Sequence, residues 1–276
     1  MVARILDNLD ALQKLLKRKP FGLITDMDGT LSEIPHNFLE TTAPPPTLPQ
    51  LAALVNRFEV LAVVSGRKTE AVKDIVNIEG VKYIGHYGME RWENNRAVLR
   101  PEAAASLEAM RALAAEMEGL RAVDGMIIQD KWATISVHYH LTRQPEAAKQ
   151  QILDLLQKSP HIKEMRLMFE KNNIGIVPRV EIDKGTAVTG LIKEHHLQGA
   201  IYLGDDVGDV PAFRAIRVAR EVQEFMGLAI LVTGPETTPA TFKEADFTLD
   251  SVHETGMLLD WLVDNTKERI KLKTHN

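Results

Sequence analysis

The chain has 276 residues, 45% hydrophobic and 26% charged, with a formal net charge of -5 and no cysteine. This length suits one large domain or two ordinary ones with a buried core, and the composition excludes a disordered chain. The negative balance argues against nucleic acid or an anionic membrane as the main partner, and the missing cysteine removes disulfides, thiolate metal sites and thiol nucleophiles.

The N-terminal "MVARILDNLDALQKLLKRK" sets Ile5, Leu6, Leu9, Leu12, Leu15 and Leu16 at helical spacing with acids between them. That predicts a helix packed on the body of the fold, unlike the core of a signal peptide. No apolar run approaches membrane-spanning length, so a soluble, cytoplasmic protein is expected. "FGLIT" (21–25) is a short, continuously apolar run, as in a strand covered on both faces of a parallel sheet. A proline-rich loop follows, then a helical pattern at 48–57, then "VLAVVSG" (60–66) as the next strand. Strand, crossover, helix and strand make a βαβ unit, whose chemistry belongs at the carboxyl ends of the strands. Asp26 and Ser65 therefore fall on one sheet edge.

After an alanine-rich helical stretch, "GMIIQDKWATISVHYHL" and "EMRLMFEKNNIGIVPRV" interleave polar and apolar residues, with the helical "QPEAAKQQILDLLQKS" between them. Alternation predicts an antiparallel sheet with one open face. The pattern places an inserted α+β domain at 89–179, between core segments 1–88 and 180–276. From Lys184 the first style resumes: helical "KGTAVTGLIKEHH", buried "AIYLG", acid-rich "DDVGDVPAFRAI", apolar "LAILVTG" and a final helix with a basic tail. The pattern predicts an α/β fold, a parallel-sheet core interrupted by an inserted α+β domain.

Carboxylates at strand ends, Asp26, Asp28 and Asp205 with Asp206 and Asp209 close by, repel one another unless a cation offsets them. A hard, oxygen-liganded ion such as Mg2+ suits them and bridges to phosphate, while a hydroxyl and an ammonium, Ser65 and Lys184, complete a phosphoryl site. In that reading Asp26 attacks phosphorus, and Asp28 serves as general acid and then as general base. Ser65 and Lys184 hold the transferring oxygens, Asp205 ligates Mg2+, and Asp206 and Asp209 hold Lys184 or metal-bound water.

"DMDGT", Ser65 in "VVSGR", Lys184 in "DKGTA" and "GDDVGD" at 204–209 resemble, in order and spacing, the four motifs of the haloacid dehalogenase-like phosphatases. The resemblance implies a capped Rossmann-like core and adds the backbone carbonyl of Asp28 to the metal set Asp26, Asp28 and Asp205. With "YIGHYGMERW" and "QDKWATISVHYH" the chain is similar to the trehalose-6-phosphate phosphatase family over most of its length. Against that pattern Tyr87 replaces a histidine, with His86 one place early; Gly208, Val210 and Pro211 replace Thr, Glu and Asp; and Gly175 stands where a glutamate is usual. The departures fall on sugar-gripping positions and leave the four catalytic motifs intact.

Candidate substrate contacts are Gly66, Arg67, Glu90, Lys131, His138 and Arg179. His138 and His140 share a strand face at a spacing that also suits zinc, and a cap surface facing substrate is the preferred reading. The expected activity is a Mg2+-dependent sugar-phosphate phosphatase acting on trehalose 6-phosphate, mannosyl-3-phosphoglycerate or sucrose phosphate. Alternatives are a phosphomutase or phosphotransferase and a silent sugar-phosphate-binding subunit. A glycosyltransferase (synthase) is the candidate protein partner.

Overall fold

The computed structural model describes residues 2–34, 44–169, 173–222, 224–234 and 237–268. Part of the proline-rich loop and most of the basic tail lie outside those residues. The chain divides into two compact units, Met1–Val98 with Ile182–Asn276, and Leu99–Glu181.

The larger unit is built on a sheet of β1 (Ala3–Arg4), β2 (Phe21–Thr25), β3 (Val60–Val64), β4 (Lys82–Gly85), β5 (Glu90–Glu93) and β6 (Arg96–Leu99), continued later in the chain. Within Leu99–Glu181 the chain forms β7 (Ile127–Asp130), β8 (Ile135–His138), β9 (Met165–Phe169) and β10 (Asn173–Pro178); β11 (Gly199–Gly204), β12 (Met226–Val232) and β13 (Phe247–Leu249) then return to the larger sheet. The order there is β1-β13-β12-β11-β2-β3-β4-β5-β6. Pairs from β1 through β4 are parallel, and β5 turns back antiparallel on β4. Residues 89–98, which alternation assigns to the insert, thus extend the larger sheet as a hairpin. A short amphipathic strand reads alike in either setting, and only its pairing with Ile84 and Gly85 separates them.

Continuous apolar runs in β2, β3 and β11 follow from burial on both faces. Leu23, Leu61, Val63, Ile201 and Leu203 enter one apolar cluster, and Ile24, Ala62, Val64, Ala200 and Tyr202 enter the other. In the second cluster Tyr202 meets Phe213 edge-on, with ring centroids 5.7 Å apart. Truncating such a buried ring to alanine costs about 3–5 kcal/mol. The N-terminal segment differs from the single expected helix. Ala3–Arg4 pairs with β13 and a 3₁₀ turn follows, so the helix is confined to Leu9–Leu15, where Leu12 and Leu15 face the core.

The smaller unit is a four-stranded antiparallel sheet, β7-β8-β10-β9, backed by helices Leu107–Glu116 and Pro145–Lys158. Each of the two alternating stretches supplies two strands. Ile135, Val137, Ile174 and Ile176 point into a core with Met110, Leu113, Ile152 and Leu156. Period-two alternation sends Ser136 and His138 to the opposite face, where Ser136 pairs with Gln129 and Gly175.

Candidate active site

The chain leaves β2 for β3 and β4 on one side and returns through β11 and β12 on the other. In open α/β sheets this reversal opens a crevice at the strands' carboxyl ends, where ligands bind. Asp26 follows β2 directly, with its N–H donating to the Leu203 carbonyl on β11 at 2.8 Å. Ser65 follows β3 and Asp205 follows β11, and all three are buried.

Lys184 opens the helix Lys184–Glu194, whose first turn is closed by a capping box between Asp183 and Thr186. A cation there opposes the helix dipole, so it needs carboxylates nearby. Its Nζ lies 2.9 Å from Asp26 Oδ1 and 2.7 Å from Asp209 Oδ1. Burial alone would lower the Lys184 ammonium; Asp209 and Asp26 outweigh it and hold the group well above its ordinary value. Asp209, fully buried, also accepts from Tyr202 Oη at 2.6 Å and from the N–H groups of Asp205 and Asp206 at 2.9 and 3.3 Å. With donors on both oxygens it serves as the anchor of Lys184.

Burial, then the charge of Asp209, pushes the Asp26 carboxyl up to about 7 against the opposing pull of Lys184. Asp205 is raised well above its usual range by burial, and next by Asp206 and Asp26. Among the described residues, Asp26, Asp205 and Asp209 group closely enough to share a cation, with oxygens within 4.8 Å of one another. A buried cluster carrying more carboxylates than ammonium groups fits a hard cation. Asp209 has donors on both its oxygens, whereas Lys184 meets Asp26 at Oδ1, so Asp26 and Asp205 are the side chains better suited to hold the cation. Thr30 Oγ1 donates to Asp205 Oδ1 at 3.3 Å. Gly29, at φ +80°, lies so close that a Cβ would overlap the Asp205 carboxylate, which explains why glycine follows Asp28.

Asp28 points elsewhere. Its two oxygens accept from Arg67 Nε at 2.6 Å and Nη2 at 2.7 Å. The Asp28 side chain is thus paired with Arg67. The loop carrying Ser65, Gly66 and Arg67 is fastened by the segment after β4. Tyr87 N–H donates to Ser65 O at 3.0 Å, His86 N–H donates to Arg67 O at 2.8 Å, and the Tyr87 ring fills the space a Cβ on Gly66 would need. Glu90, buried, accepts from Thr69 N–H at 2.8 Å and lies 3.9 Å from His86 Nε2. It caps the helix Thr69–Val76, whose own N-cap residue offers no side-chain bond.

Asp206 accepts from Gly208 N–H at 2.8 Å and so starts the short turn that delivers Asp209. In the smaller unit Lys131 Nζ donates to Ser136 Oγ at 3.0 Å and His138 Nε2 lies 3.4 Å from Gln129 Oε1. Arg179 donates from Nε and Nη2 to the Met165 carbonyl at 3.2 and 3.0 Å, which ties two strand ends together. The structure therefore brings Asp26, Lys184, Asp205 and Asp209 into one cluster, joins Arg67 to Asp28 beside it, and leaves Lys131, His138 and Arg179 in bonds of their own unit. Tyr202 and Thr30 escaped the motif reading. The signal for Tyr202 is a hydroxyl inside the otherwise apolar "AIYLG".

A strand-tip aspartate bound to a helix-start lysine, with a second acid two residues on and an acidic turn after a neighbouring strand, defines a haloacid dehalogenase-like phosphoric monoester hydrolase. The family model described as trehalose-phosphatase matches residues 24–249, and the chain belongs to that family. Among relatives, the probable trehalose-phosphate phosphatase D of Arabidopsis thaliana is 27% identical over 266 residues, 90% of this chain and 68% of that protein. The chain spans about half the length, 55%, of the mycobacterial trehalose-phosphate phosphatases it matches. Among solved structures, the C-terminal domain of C. albicans trehalose-6-phosphate phosphatase superposes with a TM-score of 0.79 at 15% identity, covering 96% of this chain and 98% of that one. The C-terminal domain of the Candida albicans trehalose synthase regulatory protein gives 0.65 at 11% identity, covering 91% and 97%. Likeness at these identities is likeness of fold. Among the described residues, no helix is long and apolar enough to cross a membrane.

Proposed function

We propose that this protein is a cytoplasmic Mg2+-dependent phosphatase of a phosphorylated sugar, with trehalose 6-phosphate as its first candidate substrate. The observation that carries the reading is the buried Asp26–Lys184–Asp209 array, with contacts of 2.9 and 2.7 Å.

An oxygen of Asp26 attacks phosphorus while the bond to the sugar oxygen breaks, and the departing alkoxide takes a proton from Asp28. Asp28 then removes a proton from water, whose oxygen attacks the aspartyl-phosphate, breaks the phosphorus–oxygen bond to Asp26 and releases phosphate. Lys184 orients the attacking carboxylate, and Ser65 binds a phosphoryl oxygen. Asp26, Asp205 and the Asp28 carbonyl would hold Mg2+, which would supply positive charge to the phosphoryl oxygens. The unit Leu99–Glu181 acts as a cap that excludes water and selects the sugar.

The test is phosphate release from trehalose 6-phosphate, sucrose 6-phosphate and mannosyl-3-phosphoglycerate, with Mg2+ and with excess chelator. Release from one sugar phosphate, abolished by chelation and restored by Mg2+, is expected. Equal release with and without metal would overturn the metal assignment, and silence on every ester would overturn the activity. A glycosyltransferase partner belongs to the same reading, with the fold shared with the regulatory domain as its support. Comigration with a trehalose-phosphate synthase in size-exclusion chromatography is its expected result.

A further inference from the structure

We propose that Arg67 is a partner-exchanging clasp: it holds Asp28 before substrate binds, then moves to the substrate's phosphoryl oxygens and releases Asp28 for proton transfer. The proposal rests on the phosphatase reading above. It starts from a conflict. Asp28 is required to donate a proton to the leaving sugar oxygen, yet both its oxygens act as acceptors for Arg67, at 2.6 and 2.7 Å. A carboxyl group accepting along both arms of a guanidinium has no hydrogen directed at a leaving group.

The surroundings say which partner moves. The Arg67 backbone is fixed, its N–H donating to Ser65 Oγ at 3.2 Å and its carbonyl accepting from His86 at 2.8 Å. The Arg67 and Asp28 side chains are 26% and 25% exposed, so the freedom lies in the rotamers and not in the loop. Lys184, by contrast, is 3% exposed and already bonded to Asp26 and Asp209. A phosphate monoester adds negative charge to a site rich in carboxylates, and Arg67 is a partly exposed cation paired with one of them. The guanidinium fork matches phosphate as well as it matches carboxylate. One bidentate charged pair is exchanged for another, so the swap needs little net free energy, and it couples release of the general acid to arrival of the group it serves.

The test has a structural and a solution arm. Crystals grown with Mg2+, with and without orthovanadate, are compared. With vanadate at Asp26, Arg67 is expected on vanadate oxygens and off Asp28. Vanadate at Asp26 with Arg67 still bidentate on Asp28 overturns the clasp and leaves the phosphatase reading standing. Absence of vanadate from Asp26 at saturating concentration overturns both. In solution, calorimetry with inorganic phosphate in Mg2+ buffer is expected to show binding weakened about tenfold or more in Arg67→Ala. Arg67→Lys keeps the charge without the fork and is expected to fall between the two, which keeps the test decisive if the alanine variant fails to fold. Phosphate binding unchanged in Arg67→Lys and in Arg67→Ala would overturn the proposal.

Discussion

Burial disfavours the charged form of ionisable groups in both units, but the two units answer it differently. In the larger unit Asp26 and Asp205 are pushed up, by burial first, and the cluster carries a surplus of carboxylates around one lysine. In the smaller unit burial, then Lys131 and His140, push His138 down to about 4, so that it stays uncharged. One region gathers more carboxylates than ammonium groups, while the other keeps a buried histidine, His138, neutral beside the charged Lys131. The contrast teaches what lets a buried group keep its charge. A carboxylate cluster around a lysine has opposite charge at hand, whereas His138 has a lysine and a second histidine beside it and so stays neutral.

The contrast breaks most sharply at Asp26. Asp26→Asn removes the proposed nucleophile while preserving shape, and turnover is expected to fall on the order of a thousandfold or more, with the melting temperature kept or raised. Metal-dependent phosphate release surviving in this variant would take the reaction centre away from β2. Next in size is Asp209→Ala, which strips Lys184, Tyr202 and two backbone N–H groups of their acceptor. Leaving a buried ammonium half-paired is expected to cost about 3–5 kcal/mol in denaturant unfolding and most of the activity. A loss of activity without loss of stability would instead make Asp209 a direct ligand and not the anchor of Lys184.

The buried Asp26–Lys184–Asp205–Asp209 cluster was legible because each of its parts is local in sequence. A strand ending in an acid, a serine after a second strand and a lysine opening a helix are all short-range signals, and the parallel sheet brings them to one edge. Tyr202 and Thr30 were not legible, since their roles depend on how loops fold back: Tyr202 reaches Asp209 in the turn past the end of its own strand β11, and Thr30 reaches Asp205 from the loop after β2. The hairpin β5–β6 failed for the same reason, its membership resting on pairing with β4. Glu90 shows the limit most clearly. Its position in "GHYGME" reads as a polar residue for sugar contact, yet the fold buries it against Thr69 N–H. Gly175, where the family pattern has a glutamate, sits across from Ser136 on the polar face of the cap sheet, so that face lacks an acid the pattern would place there.

Glu90 sharpens the contrast from the scaffold side. Glu90→Ala leaves the Thr69 N–H buried without its acceptor and is expected to destabilise the protein by about 1–3 kcal/mol, raising KM through a loosened Ser65–Arg67 loop. Glu90→Gln keeps a carbonyl oxygen for that bond and is expected to recover most of the stability. If both variants melt like the unsubstituted protein while KM for one sugar phosphate alone rises, Glu90 contacts the sugar after all.

The smallest effect is a pH dependence carried by His138. Its folded value of about 4 lies below the ordinary histidine value of 6.5, so between those two pH values the unfolded chain binds a proton that the folded cap refuses. The unfolded state binding more protons means that stability is complete above pH 6.5 and falls as the pH drops toward 4, by about 1 kcal/mol per pH unit from this group. Other groups titrate in the same window, so the measurement is the difference between the unsubstituted protein and His138→Gln, each melted at pH 7.0, 6.0, 5.0 and 4.5 (about 1 kcal/mol per unit being the expected divergence). Parallel curves would mean that His138 accepts its proton freely in the folded smaller unit, and the contrast between a charged carboxylate cluster and a histidine kept neutral would lose its second half.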